Sequence, residues 1–303
     1  MSYAVLIDTT RCIGCRSCQV ACKQWNNLPA EQTFIEGRAT GFQNPVSLSA
    51  KTLTMVTYNE VEDPNAPGGL RWVFAKRQCM HCNEPACASA CPVTALRKTK
   101  DGPVIYDPKK CMGCRYCVWA CPFGVPTADW DSLAPKIHKC TMCFERLSSN
   151  AELTELNGKP LSEEEKKVFA ESQLKPACVK ACTTGALKFG NRDELLAEGW
   201  ERIKSSPGKY VPHIYGEKEA GGTSVLYLSS VPFEKLGFRT DLGERAYPYY
   251  SKIALEVVSP SAMGIGGLLA AIYLIKRRKA EVSGAESQKK RSELCSMKSQ
   301  RKI

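Results

Sequence analysis

Seventeen cysteines in 303 residues, against three histidines and seven methionines, are where this sequence could do chemistry. Twelve of them lie before residue 122, in tight sets of four. The first set is Cys12, Cys15, Cys18 and Cys22 in CIGCRSCQVAC, and the second is Cys79, Cys82, Cys87 and Cys91 in CMHCNEPACASACP. The third is Cys111, Cys114, Cys117 and Cys121 in CMGCRYCVWACP. The fourth is split into Cys140 and Cys143, then Cys178 and Cys182, by an insertion at about 144–177. Disulfides between cysteines this close would be strained or would compete, whereas thiolates held in a ring suit metal. Three cysteines spaced two apart in a loop can reach three corners of one iron–sulfur cube while the backbone amides between them face the sulfides. A fourth cysteine after a helical turn points elsewhere, and in the bacterial C-x2-C-x2-C-x3-C-P run it ligates the other cluster of a pair. Cys91 and Cys121 precede a proline as that run asks, whereas Cys22 and Cys182 precede Lys23 and Thr183. Zinc would take two close pairs across a longer loop and would leave the repeated triplet unexplained. The spacings point to four [4Fe-4S] clusters with the sixteen cysteines as iron ligands. A three-iron cluster or none is the alternative at the interrupted fourth set.

Little else in the sequence is equipped for chemistry. It has no nucleophile beside a base, no phosphate loop and no hydrolase metal pattern, so no catalytic residue is expected. His81 and His138 lie beside ligands and could tune a cluster by a hydrogen bond, or be ordinary packing histidines like His213. Arg16, Lys110, Arg115 and Lys139 flank the sets, where cations offset cluster charge. Trp25, Tyr116, Trp119 and Trp130 could shield clusters from water or simply pack in a core. Cys295 stands alone in a polar tail and reads as a free surface thiol. The formal charge of +11 invites a nucleic-acid partner. Four oxidised cubes with their thiolates, each about −2, bring it to roughly +3. A cluster-stapled structural or nucleic-acid-binding protein would instead need an uninterrupted basic groove.

Elements must position these sets. VLI with Asp8 reads as a strand running into the first cysteine loop. LTMVTY at 53–58 and LRWVFAK at 70–76 flank the turn-rich DPNAPGG at 63–69, which predicts a hairpin. VIYDPKKC before Cys111 repeats VLIDTTRC before Cys12, so the cluster-binding unit is duplicated. Ser162 with Glu165 predicts a polar helix over 163–173. NRDELLAEGWERIKS predicts a helix capped by Asn191, and TSVLYLS a strand. Val257–Ile275 is 19 uncharged residues, about 28 Å as a helix, followed at once by Lys276, Arg277, Arg278 and Lys279. One transmembrane helix follows, with a buried glycine-rich core helix as its competitor. Ala262, Gly266 and Gly267 would admit a close partner helix. The flanking cations put the C-terminus in the cytoplasm and the cluster domain across the membrane. No export signal is read at the start, so if the chain is exported something else must carry it.

The expected fold is α+β: tandem ferredoxin-like 4Fe-4S modules with a single C-terminal transmembrane helix. Residues 1–187 would form the four-cluster domain and 188–252 a docking or wrapping segment. The transmembrane helix would span 253–275, and 276–303 would be a basic cytoplasmic tail.

The motifs LIDTTRCIGCRSCQVACKQWNNLP, KRQCMHCNEPACASACPVTAL, CMGCRYCVWACPFGVP and HKCTMCFERL resemble the beta, electron-transfer subunit of membrane-bound respiratory formate dehydrogenase. PHIYGEKEAGGTSVLYLSSVPFEKLG is similar also to the iron–sulfur membrane component of periplasmic nickel–iron uptake hydrogenase. The resemblance covers about residues 3–278. It implies crossed ligation: Cys12, Cys15, Cys18 and Cys182 on one cluster, and Cys22, Cys140, Cys143 and Cys178 on its neighbour. Cys79, Cys82, Cys87 and Cys121 would hold the third, and Cys91, Cys111, Cys114 and Cys117 the fourth. It also implies a molybdenum- or tungsten-pterin catalytic partner near the first pair. A cytochrome b or other quinone-reducing membrane subunit would lie near the second pair, and no nucleic acid is implied. The chain departs from that family's usual pattern in its longer Cys143–Cys178 gap and its short, glycine-rich span.

Overall fold

The computed structural model describes residues 2–32, 42–130, 135–147, 155–156, 159–160, 162 and 175–300. The helix expected over 163–173 lies outside the described residues. So does the side chain of Cys295. The chain divides into two compact units, residues 1–248 and 249–303.

In the first unit, strand β1 (Tyr3–Asp8) is the central strand of a three-stranded sheet. Helix α1 (Ser17–Trp25) follows it across the first cysteine loop. The predicted hairpin is present: β2 (Met55–Glu62) pairs antiparallel with β3 (Leu70–Arg77), from Met55 opposite Arg77 to Glu62 opposite Leu70. Its turn is fixed by Asp63, whose side chain accepts from the Asn65 amide and pairs with Arg71 at 3.1 Å. Next come the short helix α2 (Ala86–Ser89), the two-stranded β4 (Leu96–Lys98) and β5 (Val104–Tyr106), and helix α3 (Tyr116–Ala120). β6 (Thr127–Ala128) pairs with β7 (Ile137–His138), α4 spans Phe144–Leu147, and β8 (Glu155–Leu156) pairs with β9 (Lys159–Pro160). Helix α5 (Ala177–Lys180) then precedes β10 (Leu187–Asn191).

Helix α6 (Arg192–Ser205) starts where expected, with the Asn191 side chain accepting from the Asp193 amide. Strand β11 (Val225–Leu228) lies parallel to β1, with Val5 opposite Val225, while β10 lies antiparallel on the other side of β1. All four β11 residues are buried, so the segment after residue 188 supplies part of the core sheet. Alternation along β1 divides two cores. Ala4 and Leu6 pack with Leu195, Ile214, Leu226 and Leu228 beneath α6, while Val5 and Ile7 pack toward Met80, Met142 and Cys178 on the cysteine side. Asp8 closes the strand: it is fully buried and accepts from Arg202 at 2.9 Å and the Tyr210 hydroxyl at 3.0 Å.

In the second unit, helix α7 (Tyr247–Gln300) runs unbroken through Pro260. It is the one helix among the described residues long and apolar enough to cross a membrane, over Tyr247–Ala285. Its 54 residues reach about 81 Å, far more than the roughly 30 Å of hydrocarbon, so much of it must extend beyond a bilayer. The window of highest hydropathy is unburied, with Met263, Leu268, Tyr273 and Leu274 exposed. That is unlike the buried core helix weighed as its competitor.

Candidate iron–sulfur site

The triplet loops are shaped by residues in the left-handed region. Gly14 and Arg16 precede α1 at φ +71° and +59°, and Gly113 and Arg115 precede α3 at +77° and +64°. A Cβ on Gly14 would lie 2.9 Å from the Phe74 ring, and one on Gly113 2.9 Å from the Pro135 carbonyl oxygen. The paired-cysteine loops use the same device, with His81 at φ +51° and Met142 at +59°. Pro85 and Pro176 each stand at the N-cap of the short helix that carries Cys87 or Cys178.

The thiols gather by proximity. Cys182 and Cys15 act on Cys12, and Cys12 and Cys15 on Cys18. Cys140 and Cys178 act on both Cys22 and Cys143. Cys79, Cys121 and Cys87 act on Cys82, while Cys91, Cys111 and Cys114 surround Cys117. The groups also act on one another in series: Cys178 acts on Cys18 and Cys18 on Cys22, Cys79 acts on Cys140, and Cys117 acts on Cys87. Exposure differs along the series. Cys15 and Cys114, in the outer groups, are exposed, whereas Cys22, Cys140, Cys143 and Cys178 are all buried.

Burial governs their ionisation. It pushes the Cys18, Cys117 and Cys140 thiols up to about 11 and Cys87 to about 12, with neighbouring thiolates adding to the shift. Cys15 goes the other way, because the Ser17 hydroxyl and amide at the start of α1 stabilise its thiolate. Thiolates so costly to form in an apolar interior call for a cationic centre to hold them. Among the described residues no three His, Cys, Asp or Glu side chains converge tightly enough for one ion. Groups of four cysteines supply the all-thiolate donor set that a [4Fe-4S] cube takes. A small cavity is lined by Cys22, Cys140, Cys143 and Cys178 together with Lys76 and Gln78. The Lys76 ammonium and the Gln78 side-chain oxygen are buried there without hydrogen-bond partners among the described residues.

Of the four flanking cations named from sequence, Lys139 is the one that, among the described residues, is set against a cysteine sulfur. It is buried, 3.8 Å from Cys79 Sγ, and donates to the carbonyls of Val104 and Cys140. Arg16 instead hydrogen-bonds the Tyr58 hydroxyl and the Phe42 carbonyl, Arg115 lies over the Trp130 ring, and Lys110 is exposed. His81 is fully buried, and its Nδ1 accepts from the Val104 amide at 2.9 Å. Burial, with Lys139 and Lys98 nearby, holds its pKa well below the usual histidine value. The proton of neutral His81 therefore sits on Nε2, which has no partner among the described residues. His138 is half-buried in β7, and His213 pairs with Glu219 at 2.7 Å. Tyr116, Trp119 and Trp130 are exposed, Trp119 by 83%, so core packing does not account for them.

Sequence reasoning missed two lysines. Lys76 is fully buried; burial alone would depress it, but the thiolates of Cys178, Cys18 and Cys140 hold it above the usual lysine value. Lys98 donates to the His81 carbonyl and Ser224 hydroxyl, and burial brings it down to about 8. No sequence signal marked Lys76, which alternates in β3 with exposed Trp72 rather than with the buried Val73 and Ala75.

Comparison with known proteins agrees with this architecture. Two models, each described as a 4Fe-4S dicluster domain, match residues 11–95 and 70–158. A protein of Nitratidesulfovibrio vulgaris is 42% identical over 94% of this chain and 70% of its own length. The hydrogenase-2 operon protein HybA of Escherichia coli O157:H7 is 35% identical over 78% of this chain and 72% of its own. The iron–sulfur subunit of the nitrate-inducible formate dehydrogenase of Escherichia coli K12 is 35% identical over 74% and 67%. The fold and site define a ferredoxin-type protein that binds [4Fe-4S] clusters. The chain belongs to the family of iron–sulfur electron-transfer subunits that includes those of formate dehydrogenase and HybA.

Proposed function

We propose that this chain relays electrons through four [4Fe-4S] clusters from a molybdenum- or tungsten-pterin formate dehydrogenase subunit to a quinone-reducing membrane subunit. Such clusters supply one-electron chemistry when bound. The observation that carries the reading is the serial arrangement of the thiols, with exposed Cys15 and Cys114 in the outer groups and the buried Cys22, Cys140, Cys143 and Cys178 between. In this reading Cys12, Cys15, Cys18 and Cys182 hold the first cluster, and Cys22, Cys140, Cys143 and Cys178 the second. Cys79, Cys82, Cys87 and Cys121 hold the third, and Cys91, Cys111, Cys114 and Cys117 the fourth. The chain fixes the sulfurs, excludes water from the inner groups and places buried lysines against their negative charge.

Helix α7 would anchor the chain, with Lys276–Lys279 in the cytoplasm and the cysteine unit on the opposite side. Protease added to the cytoplasmic face of sealed inverted vesicles should remove the tail; protection of the tail would reverse the topology.

The likeness to HybA over slightly more of the chain supports a second reading, an electron-transfer component of a nickel–iron uptake hydrogenase. The deciding experiment is gentle purification of the native complex from detergent-solubilised membranes, with mass spectrometry of its subunits and iron analysis. A molybdopterin-family subunit with an integral partner supports the formate reading, and a nickel–iron subunit replaces it. About sixteen irons per chain are expected.

A further inference from the structure

Strand β3 leads into Cys79, yet its residue Lys76 serves thiols of other loops. The backbone of Lys76 is fixed by pairing with Val56 in β2 and by the Tyr227 hydroxyl, which donates to its carbonyl at 2.8 Å. Its side chain is fully buried, lines the cavity walled by Cys22, Cys140, Cys143 and Cys178, and finds no hydrogen-bond partner for Nζ among the described residues. Cys12 and Cys18 of the first group feel this ammonium, as do Cys22 and Cys140 of the second. An unpaired ammonium is among the costliest groups to bury, and it persists where a compact negative charge stands against it. Among the described residues the cavity wall offers no carboxylate for that purpose; it offers four thiols.

We propose that Lys76 is the shared counter-cation of the first two clusters, raising the reduction potential of both and weakening the repulsion between them when both are reduced. The inference rests on the reading that these two cysteine groups hold clusters. Each reduction adds one electron and neither forms nor breaks a bond. The charge that offsets the electron is already in place on Nζ, so no proton need enter the interior. Lys76 thus acts on electron transfer by tuning its neighbours.

The test is a potentiometric titration of the native complex followed by electron paramagnetic resonance. Wild type is compared with Lys76→Met and Lys76→Arg, with iron content measured on each. Removing the charge should shift the reduction equilibrium of two of this chain's clusters at least tenfold toward the oxidised form, about 59 mV for a one-electron couple. Lys76→Arg should hold both within threefold of wild type, and the fourth cluster should not move in either variant. A Lys76→Met complex with full iron and no shift beyond threefold overturns the proposal, as does an equal shift of all four clusters, which marks general loosening. If Lys76→Met loses iron, Lys76→Arg decides: retained clusters at unchanged potentials support the proposal, and lost or equally displaced ones overturn it. Wild-type protein without iron in the first two groups would sink the cluster reading itself, a separate result.

Discussion

In the half built from residues 12–22 and 140–182, Gly14, Arg16 and Met142 take positive φ; in the half built from 79–121, Gly113, Arg115 and His81 do the same at matching positions. Each half also has a Pro-Ala-Cys helix start, at Pro85 and at Pro176. The halves therefore repeat one backbone solution to holding sulfurs, and they differ in what surrounds it. Four residues separate Cys82 from Cys87, whereas 34 separate Cys143 from Cys178. The first half is backed by the β10–β1–β11 sheet, while the second surrounds the exposed Cys114 with exposed Met112, Tyr116 and Trp119. Their buried lysines cross over: Lys76, which leads into Cys79, acts on Cys18, Cys140 and Cys178, and Lys139, which leads into Cys140, lies against Cys79. Ligand geometry is local and can be copied by duplication. Charge and exposure are set by neighbours from the other half, so a duplicated motif need not give duplicated redox properties.

The largest test of that distinction is to remove one ligand from each environment. Cys140→Ala and Cys114→Ala should each cost the chain about four irons, because a cube short of a thiolate is lost together with the folding energy it supplied. The buried Cys140 joins both halves through its proximity to Cys79, so its loss should lower the thermal transition further than loss of the exposed Cys114. Iron analysis and calorimetry read both quantities. Equal drops would mean that the groups do not differ in structural weight.

A smaller contrast lies in the duplicated glycines. Gly14→Ala and Gly113→Ala both force a side chain to positive φ, a strain of about 1–3 kcal/mol. The added methyl at residue 14 meets the Phe74 ring, which can shift, whereas at 113 it meets the backbone oxygen of Pro135. Gly113→Ala should therefore be the more destabilising in denaturant titrations of the loaded protein. The reverse order would show that Phe74 is held more rigidly than the 135 backbone.

Much of the site was legible because it is local. The 63–69 turn, the Asn191 cap and the Val225–Leu228 strand are, like the cysteine spacings, short-range patterns, and these three elements stand where the pattern put them. Pairing β1 with strands 180 or more residues away left no trace of comparable strength, since any apolar strand could fill those edges. Lys76 escaped notice for the same reason: in sequence it is one cation among 42, and only the fold brings it to thiols of other loops. Trp119 could not be assigned to core or surface from a helix of five residues, and it is exposed.

The smallest effect concerns the loop that backs the second half. Thr223 bridges to Cys82, and its amide is bonded to Gly216, whose own amide donates to Glu219 Oε2 at 2.7 Å. The other Glu219 oxygen faces His213, and that hydrogen bond raises the His213 pKa above its usual value. A raised folded-state pKa stabilises the fold below the unfolded value of about 6.5, and that increment fades as pH rises through the folded pKa. His213 is 44% exposed, so solvent screening keeps the contribution under about 1 kcal/mol. Hydrogen exchange at Thr223, corrected for intrinsic rate, should therefore lose protection as pH climbs from about 6.5, and His213→Gln should remove that trend. Amides beside Cys143 in the first half should be indifferent to both changes. A trend that survives in His213→Gln would assign the pH response to some other group and would separate this pair from the support of Cys82.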